Sequence, residues 1–234
     1  MNGEVTTIII DNDDIIRIKE ITTFTKTQNT AYTYAKRSFD IICALVGCLI
    51  LLPLMIVVKI LYCLSGDFDT IFYEQERIGK DGKLFKLYKF RTMEKDADEK
   101  LFKYLQENEQ ANIEYKRNKK LKNDPRITKV GKILRKCSLD EFPQLINCLF
   151  GQMSVIGNRP YLPREQEDME NYYYDIIKTK PGITGYWQIS GRSDVSFKKR
   201  LELEQFYSNN YSLSLDIKIF FKTFSVVLFG RGAE

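Results

Sequence analysis

The sequence predicts a helix-rich α/β chain in three parts: a polar tail over residues 1–35, a membrane-inserted element over 36–64, and a polar domain over 65–234. Three observations carry this. No charged residue occurs between Ile41 and Val58, and Pro53 sits inside that stretch. Two β-rich runs, Phe72 to Glu76 and Leu84 to Phe90, are separated by Gly79-Lys80-Asp81-Gly82, a hairpin signal with an Asp-Gly turn. The remainder alternates apolar residues at helical spacing with Lys and Arg, the pattern of amphipathic helices that lie in a bilayer interface or cover a core.

The tail comes first. Its acidic residues, Glu4, Asp11, Asp13, Asp14 and Glu20, outweigh Arg17, Lys19 and Lys26, and no signal peptide is expected there. Val5 to Ile10 is its one candidate strand.

In the apolar stretch, a helical rise of ~1.5 Å per residue gives a length of about 27 Å, barely the hydrocarbon thickness. Pro53 removes a backbone donor and clashes with the preceding turn, so a break is expected near Leu49 to Pro53. Lys36 and Arg37 precede the stretch, and Lys59, Arg77 and Lys80 follow it. A single span would leave one basic flank outside, against the positive-inside tendency. A re-entrant helix-break-helix keeps both flanks on the cytoplasmic side and is favoured over an ordinary span.

Beyond the hairpin, whose second strand carries Lys83, Lys86, Lys89 and Arg91, Ala97 to Lys120 reads as a surface helix and a basic loop. Asp124-Pro125 reads as a helix start, with Ile127, Val130, Ile133 and Leu134 on one face of the helix that follows. Arg164 to Lys178 is a further helical pattern, Ser196 opens another, and Leu215 to Phe229 is a last, strongly apolar one.

Composition narrows the chemistry. The chain of 234 residues has a formal charge of +5 and no histidine. A Ser-His-Asp triad, a Cys-His pair and a histidine metal site are therefore excluded. The five cysteines show no C-x-x-C spacing and read as small hydrophobes. Acid, base or nucleophile must come from Asp, Glu, Lys, Tyr or Cys. The central candidate is Ser138-Leu139-Asp140-Glu141-Phe142-Pro143-Gln144-Leu145. By spacing alone, Ser138 with Glu141 is a capping box. The adjacent carboxylates at a helix start, with Arg135 shortly before them, equally suit phosphate chemistry. A second candidate is Arg159, bracketed in Gly157-Asn158-Arg159-Pro160. The third is the glycine-rich Lys180 to Arg192, which holds Trp187 and Gln188.

Together these motifs resemble the bacterial sugar transferases, the monotopic polyprenyl-phosphate phosphoglycosyl transferases. The matching stretches are Lys36-Arg37 to Asp40, Tyr73 to Gly79, Leu87 to Met93, Asn123 to Arg126, Ser138 to Leu145, Gly157 to Pro160, Pro181 to Arg192, and Asp216. Three residues depart from the family pattern: Asn158 stands where Pro is usual, Gln152 where Asp is common, and Leu52 where many members have Ser.

The resemblance implies a cytosolic catalytic domain behind a re-entrant helix at the bacterial inner membrane, with the N-terminus also in the cytoplasm. It implies transfer of a sugar-1-phosphate from a UDP-sugar to undecaprenyl phosphate with release of UMP, a phosphotransferase reaction that opens capsule, exopolysaccharide or O-antigen assembly. By motif position Asp140 is the nucleophile and Glu141 its partner. Arg135, Arg159 and Arg192 align with phosphate- and nucleotide-binding arginines, and Arg91, Lys89 and Gln188 join that set. Mg²⁺ is the implied cofactor, with Asp140 as its ligand. Inner-leaflet anionic lipids are implied partners and nucleic acid is not; a homodimer is left open. Arg159 to Glu165 and Phe229 to Ala233 look like the galactose-1-phosphate transferases, with glucose or an N-acetylhexosamine as alternatives. The competing classes are a non-enzymatic basic module using Lys116 to Lys136 for anionic lipid or nucleic acid, and a membrane phosphatase using Asp140.

Overall fold

The computed structural model describes residues 30–118, 121–191 and 195–228. Val5 to Ile10, Arg192 and Phe229 to Ala233 lie outside them. Helix α1 runs from Thr30 to Leu64 without interruption. At ~1.5 Å per residue it measures about 52 Å along its path. The break expected at Pro53 is absent as a gap: the backbone stays helical through it. A proline costs a helix its own N–H bond and crowds the carbonyl four residues back. Here both Pro53's neighbour Leu52 and Leu49 point outward, so the flaw falls on the open face, away from the packing contacts.

The inward face of α1 is buried along its whole length at Asp40, Ala44, Gly47, Leu51, Val58 and Tyr62. The outward face exposes Ile42, Leu49, Ile56, Ile60 and Leu64. Each end is tied down by polar contacts. Near the start, Arg37 donates to the carbonyls of Cys148 (2.6 Å) and Leu149 (2.8 Å), and Asp40 Oδ1 accepts from Ser154 Oγ and the Val155 amide, both at 2.9 Å. Near the end, Lys59 Nζ donates to the Phe68 and Asp69 carbonyls, each at 2.9 Å.

Strands β1 (Phe72–Ile78) and β2 (Leu84–Phe90) form the expected antiparallel hairpin, with Phe72 opposite Phe90 and Ile78 opposite Leu84. Asp81 (φ 56°) and Gly82 (φ 76°) make the turn between them. The expected surface helix is two helices, α2 (Ala97–Glu107) and α3 (Glu109–Asn118), parted at Asn108.

The helix expected from Asp124-Pro125 begins later, as α4 (Lys129–Lys136), because Asp124 is engaged elsewhere. Its carboxylate accepts from Arg126 Nε (2.8 Å) and from Arg126 Nη2 (2.6 Å). Thr128 caps α4 instead, its Oγ1 accepting from the Gly131 amide at 2.9 Å. Val130 and Leu134 are buried on α4, whereas Ile133 is exposed. Helix α5 (Gln144–Leu149) leads to β3 (Ser154–Ile156), which pairs in parallel with β4 (Gly182–Thr184).

The single helix expected over Arg164 to Lys178 is instead two 3₁₀ turns and a short α6 (Tyr173–Ile176), with Glu170 at φ 48°. Part of the loop expected at Lys180 to Arg192 is structured as β4 and α7 (Tyr186–Ile189). Helices α8 (Phe197–Asn210) and α9 (Leu213–Leu228) follow as read from the sequence, α8 capped by Ser196.

Four hydrophobic clusters hold these elements on α1 and on one another. Leu51, Val58 and Tyr62 meet Ile71, Phe90, Val130 and Leu134, while Ala44 meets Phe85, Leu87, Cys148 and Met153. Behind them, Val155, Ile156, Ile189, Tyr207 and Ile219 form one cluster, and Ile78, Tyr161, Met169, Ile176, Phe197 and Leu201 another.

The last tether of α1 comes from α9. Asp216 accepts from Lys36 Nζ (2.6 Å), Tyr32 OH (2.8 Å) and Tyr207 OH (2.7 Å). Asp216 is buried, so Asp216→Ala would strand one ammonium and two hydroxyls together. The expected loss is about 3 kcal/mol, read as a lower denaturant midpoint for the detergent-solubilised protein.

Candidate active site

The candidate carboxylates sit on the one-turn link between α4 and α5. Ser138, at φ 55°, ends α4 and makes no side-chain cap, so the capping box suggested by spacing is not formed. Leu139, Asp140 and Glu141 form a 3₁₀ turn that delivers both carboxylates toward the end of β2. From β2, Lys89 Nζ lies 2.9 Å from Glu141 Oε1 and 3.9 Å from Asp140 Oδ2.

The link is placed by close backbone packing. A Cβ at Gly131 would overlap the Thr92 carbonyl, so only glycine lets α4 seat this tightly beside the chain leaving β2. That seating lets Arg135 Nε donate to Thr92 Oγ1 at 3.0 Å, which holds the guanidinium near Asp140.

Asp140 is almost wholly buried, and burial pushes its carboxyl above the usual aspartate range. Lys89 pulls it back down, Glu141 pushes it up again, and Arg135 lowers it. A carboxylate with a raised pKa is fully ionised only above that value, so chemistry that needs the anion should fail on the acid side earlier than for an exposed aspartate. Lys89→Met removes the strongest opposing charge. The acid limb of kcat/KM should then move to higher pH, with little change on the alkaline side; a limb that stays in place would show that the anion is not the working form.

The dyad opens into a cleft of about 1010 Å³, lined by the hairpin, the α4–α5 link, the Arg159–Glu165 segment, the β4–α7 segment and the ends of the 94–126 excursion. Its volume is at the upper end for small-molecule sites. Asp140, Glu141, Lys89, Arg91, Arg135, Arg159 and Gln188 all line it, so seven of the proposed positions converge.

Two of the seven are committed to structure. Arg91 is forked onto Asp67 (2.9 and 2.8 Å), donates to the Thr70 carbonyl (2.9 Å) and lies over the Tyr62 ring. Gln188 donates to the Ile183 carbonyl at 3.0 Å. Arg159 lines the same cleft as the dyad, and its Nε is buried without a hydrogen-bond partner. The family departures are absorbed by the fold. Asn158 Nδ2 reaches Ser208 Oγ (2.6 Å), Thr179 Oγ1 (3.2 Å) and the Ile176 carbonyl (3.2 Å), and Gln152 Oε1 accepts from Asn147 Nδ2 at 2.8 Å.

The cleft wall also includes Trp187 of the third candidate motif, and Arg77 and Arg164, to which the sequence assigned no role in the site. Behind them lie Arg200, whose guanidinium stacks on the Trp187 ring, and Glu204. The signal for the last two was present. Phe197, Arg200, Leu201, Glu204, Tyr207 and Ser208 share the buried face of α8, so helical periodicity alone places two charges in the core.

Among the described residues no group of three or more acidic or Cys side chains is gathered to cage a metal ion. The donor set, Asp140 with Glu141, fits a hard cation held by one or two carboxylates and completed by water and substrate oxygens, the usual manner of Mg²⁺.

An apolar helix long enough to cross a membrane, a half-buried acidic pair and cationic groups lining one cleft outline an enzyme that handles phosphorylated substrates. Residues 31–230 match the family described as bacterial sugar transferase. The chain belongs to that family and is a transferase, which sets aside the binding-only reading.

It is similar to the exopolysaccharide production protein ExoY of Rhizobium meliloti (strain 1021), 44% identical over 199 residues, covering 85% of this chain and 88% of the relative. The undecaprenyl-phosphate galactose phosphotransferase of Salmonella typhimurium is 43% identical over 203 residues, 86% of this chain and 42% of the relative. The UDP-N-acetylgalactosamine-undecaprenyl-phosphate N-acetylgalactosaminephosphotransferase of Aeromonas hydrophila is 34% identical over 210 residues, 87% and 46%. The chain thus spans less than half the length of these last two.

Proposed function

We propose that the protein moves a hexose-1-phosphate from a UDP-sugar to undecaprenyl phosphate and releases UMP, as an early membrane step of surface polysaccharide assembly. The observation that carries this is the pairing of Asp140 and Glu141 with Lys89 in a cleft that Arg159 also lines, in a chain whose first helix is long and apolar enough to enter a membrane.

In the first step an Asp140 oxygen attacks the phosphorus bearing the sugar. The bond from that phosphorus to the bridging oxygen breaks, and UMP leaves with the electron pair. An oxygen of undecaprenyl phosphate then attacks the aspartyl phosphosugar, which frees the Asp140 carboxylate and yields the lipid diphosphosugar. No proton is transferred in either step, which suits a site without histidine. Lys89 and Arg135 hold the carboxylate ionised, and Arg159 faces the diphosphate. Mg²⁺, held by Asp140 with Glu141, would supply charge neutralisation for the diphosphate.

Galactose is the favoured sugar, in line with the name of the Salmonella relative; glucose and N-acetylhexosamines are the alternatives, the latter in line with the Aeromonas relative. A one-sided seat in the inner membrane, with the domain on the cytoplasmic side where UDP-sugars occur, is supported by the tethering of both ends of α1 to the same domain. Lys129, Lys132 and Lys136 on α4, around the exposed Ile133, suit anionic headgroups.

The test is UMP release from UDP-galactose, UDP-glucose and UDP-N-acetylhexosamines with undecaprenyl phosphate and Mg²⁺. Radiolabel from the sugar phosphate should also attach covalently to protein when lipid is omitted. Turnover without such labelling would replace the two-step route by direct transfer.

A further inference from the structure

Glu204 is a fully buried carboxylate that the reaction above does not use. Its Oε1 accepts from the Arg159 main-chain amide at 2.8 Å. Its Oε2 is buried without a hydrogen bond of good geometry, although the Tyr161 hydroxyl stands nearby. The groups around it come from several elements. Arg200 lies one turn back on α8, and Arg159 and Tyr161 come from the segment after β3. Beyond Arg159 and Arg200 are Arg77 of β1 and Glu165. On the neighbouring turn of α8, Asp175 of α6 accepts from Gln205 at 2.7 Å.

Arg77, Arg159 and Arg200 share a further property: the Nε of each is buried and unpartnered. Three guanidiniums face two carboxylates, Glu165 and Glu204, so the cluster carries surplus positive charge. Arg77 and Arg159 line the cleft itself. A cluster with surplus cationic charge beside a cleft is suited to receive an oxyanion.

We propose that Glu204 is a positioning residue for this arginine wall: it fixes the Arg159 segment through the main-chain amide and takes up one proton from solvent when a phosphate oxyanion enters beside Arg159. The inference rests on the reading that Arg159 meets a substrate phosphate. Electrostatics gives the coupling its sign. With the wall empty, Arg159 and Arg200 favour the Glu204 anion while burial opposes it, and the balance leaves the carboxyl pushed up to about 7. A second negative charge among the same guanidiniums disfavours the Glu204 anion further, so anion binding and protonation reinforce each other. Binding is then tighter at pH 6 than at pH 8.

The probes are inorganic sulfate and UDP-galactose, neither of which changes charge between these pH values. Binding is measured by calorimetry on Asp140→Asn protein, which removes turnover and the titration of Asp140. Both probes should bind about tenfold more weakly at pH 8 than at pH 6, with heats that depend on the buffer's ionisation enthalpy because a proton is taken up. Adding Glu204→Gln keeps an acceptor for the Arg159 amide and removes the titration; the pH dependence should flatten. Binding without proton exchange, or an unchanged slope in the Gln variant, overturns the proposal and leaves the donor reading intact. The buffer dependence of the Asp140→Asn protein tests the proposal even where the Gln variant does not fold. If sulfate shows the Glu204-dependent slope and UDP-galactose does not bind, the donor reading falls and the role of Glu204 stands. If neither binds, both fall.

Discussion

Asp140→Asn is expected to lower UMP release by at least about a thousandfold while the protein stays in the membrane fraction with its fold intact. The amide matches the carboxylate in shape but cannot form the acyl phosphate. The fold should tolerate it for an electrostatic reason. Burial raises the Asp140 pKa, so ionising this group in the folded protein carries a cost that appears as pH rises through the unfolded value and is complete above the folded one. A neutral isostere removes that cost, so the melting temperature at neutral pH should be unchanged or higher. Activity near that of the wild type would remove Asp140 from the chemistry. A lower melting temperature would mean that the carboxylate serves the fold.

A second large effect is expected at Gly157→Ala. A Cβ at this position would overlap the Lys180 carbonyl, with the Gly182 amide also inside contact distance. Both obstacles are backbone and cannot rotate away. The strands β3 and β4 would have to separate, although Ser154 and Gly182, and Ile156 and Thr184, are register partners. The Arg159 segment leaves from β3, and the wall bearing Ile183 and Trp187 follows from β4. Overpacking of this kind costs roughly 1–3 kcal/mol, and the arginine wall should shift with it. The melting temperature should fall, and KM for the nucleotide sugar should rise by about tenfold or more. Wild-type values for both would show that the crossing is looser than its geometry indicates.

Much of this arrangement was legible in the sequence, and the exceptions have physical causes. The hairpin could be read because strand residues flank an Asp-Gly turn, and both signals are local. Helices α8 and α9 were legible from their periodicity. The Arg164 to Lys178 stretch misled because the three-residue spacings Met169 to Tyr172 and Tyr173 to Ile176 suit 3₁₀ turns and an α-helix alike; the chain buries Met169 on a 3₁₀ turn and Ile176 on the short α6. Asp124 misled because its cap chemistry was taken by Arg126, two residues away. Arg91 was legible as a cation beside the site, but not as one already paired. Its partner, Asp67, lies 24 residues away, and no local pattern reports such a pairing. The dyad could be found by motif, whereas the rise in the Asp140 pKa depends on burial that only the folded chain creates.

The bond between Lys36 and Asp216 joins residues 180 positions apart. In N-to-C synthesis, α1 emerges well before α9. Helix α1 must therefore wait until α9 arrives to complete its mooring. During that interval Lys36 and Tyr32 have no carboxylate to meet. A chain cut short before Leu213 would leave the helix in that unfinished condition permanently, so α9 acts as the closing clasp of the helix.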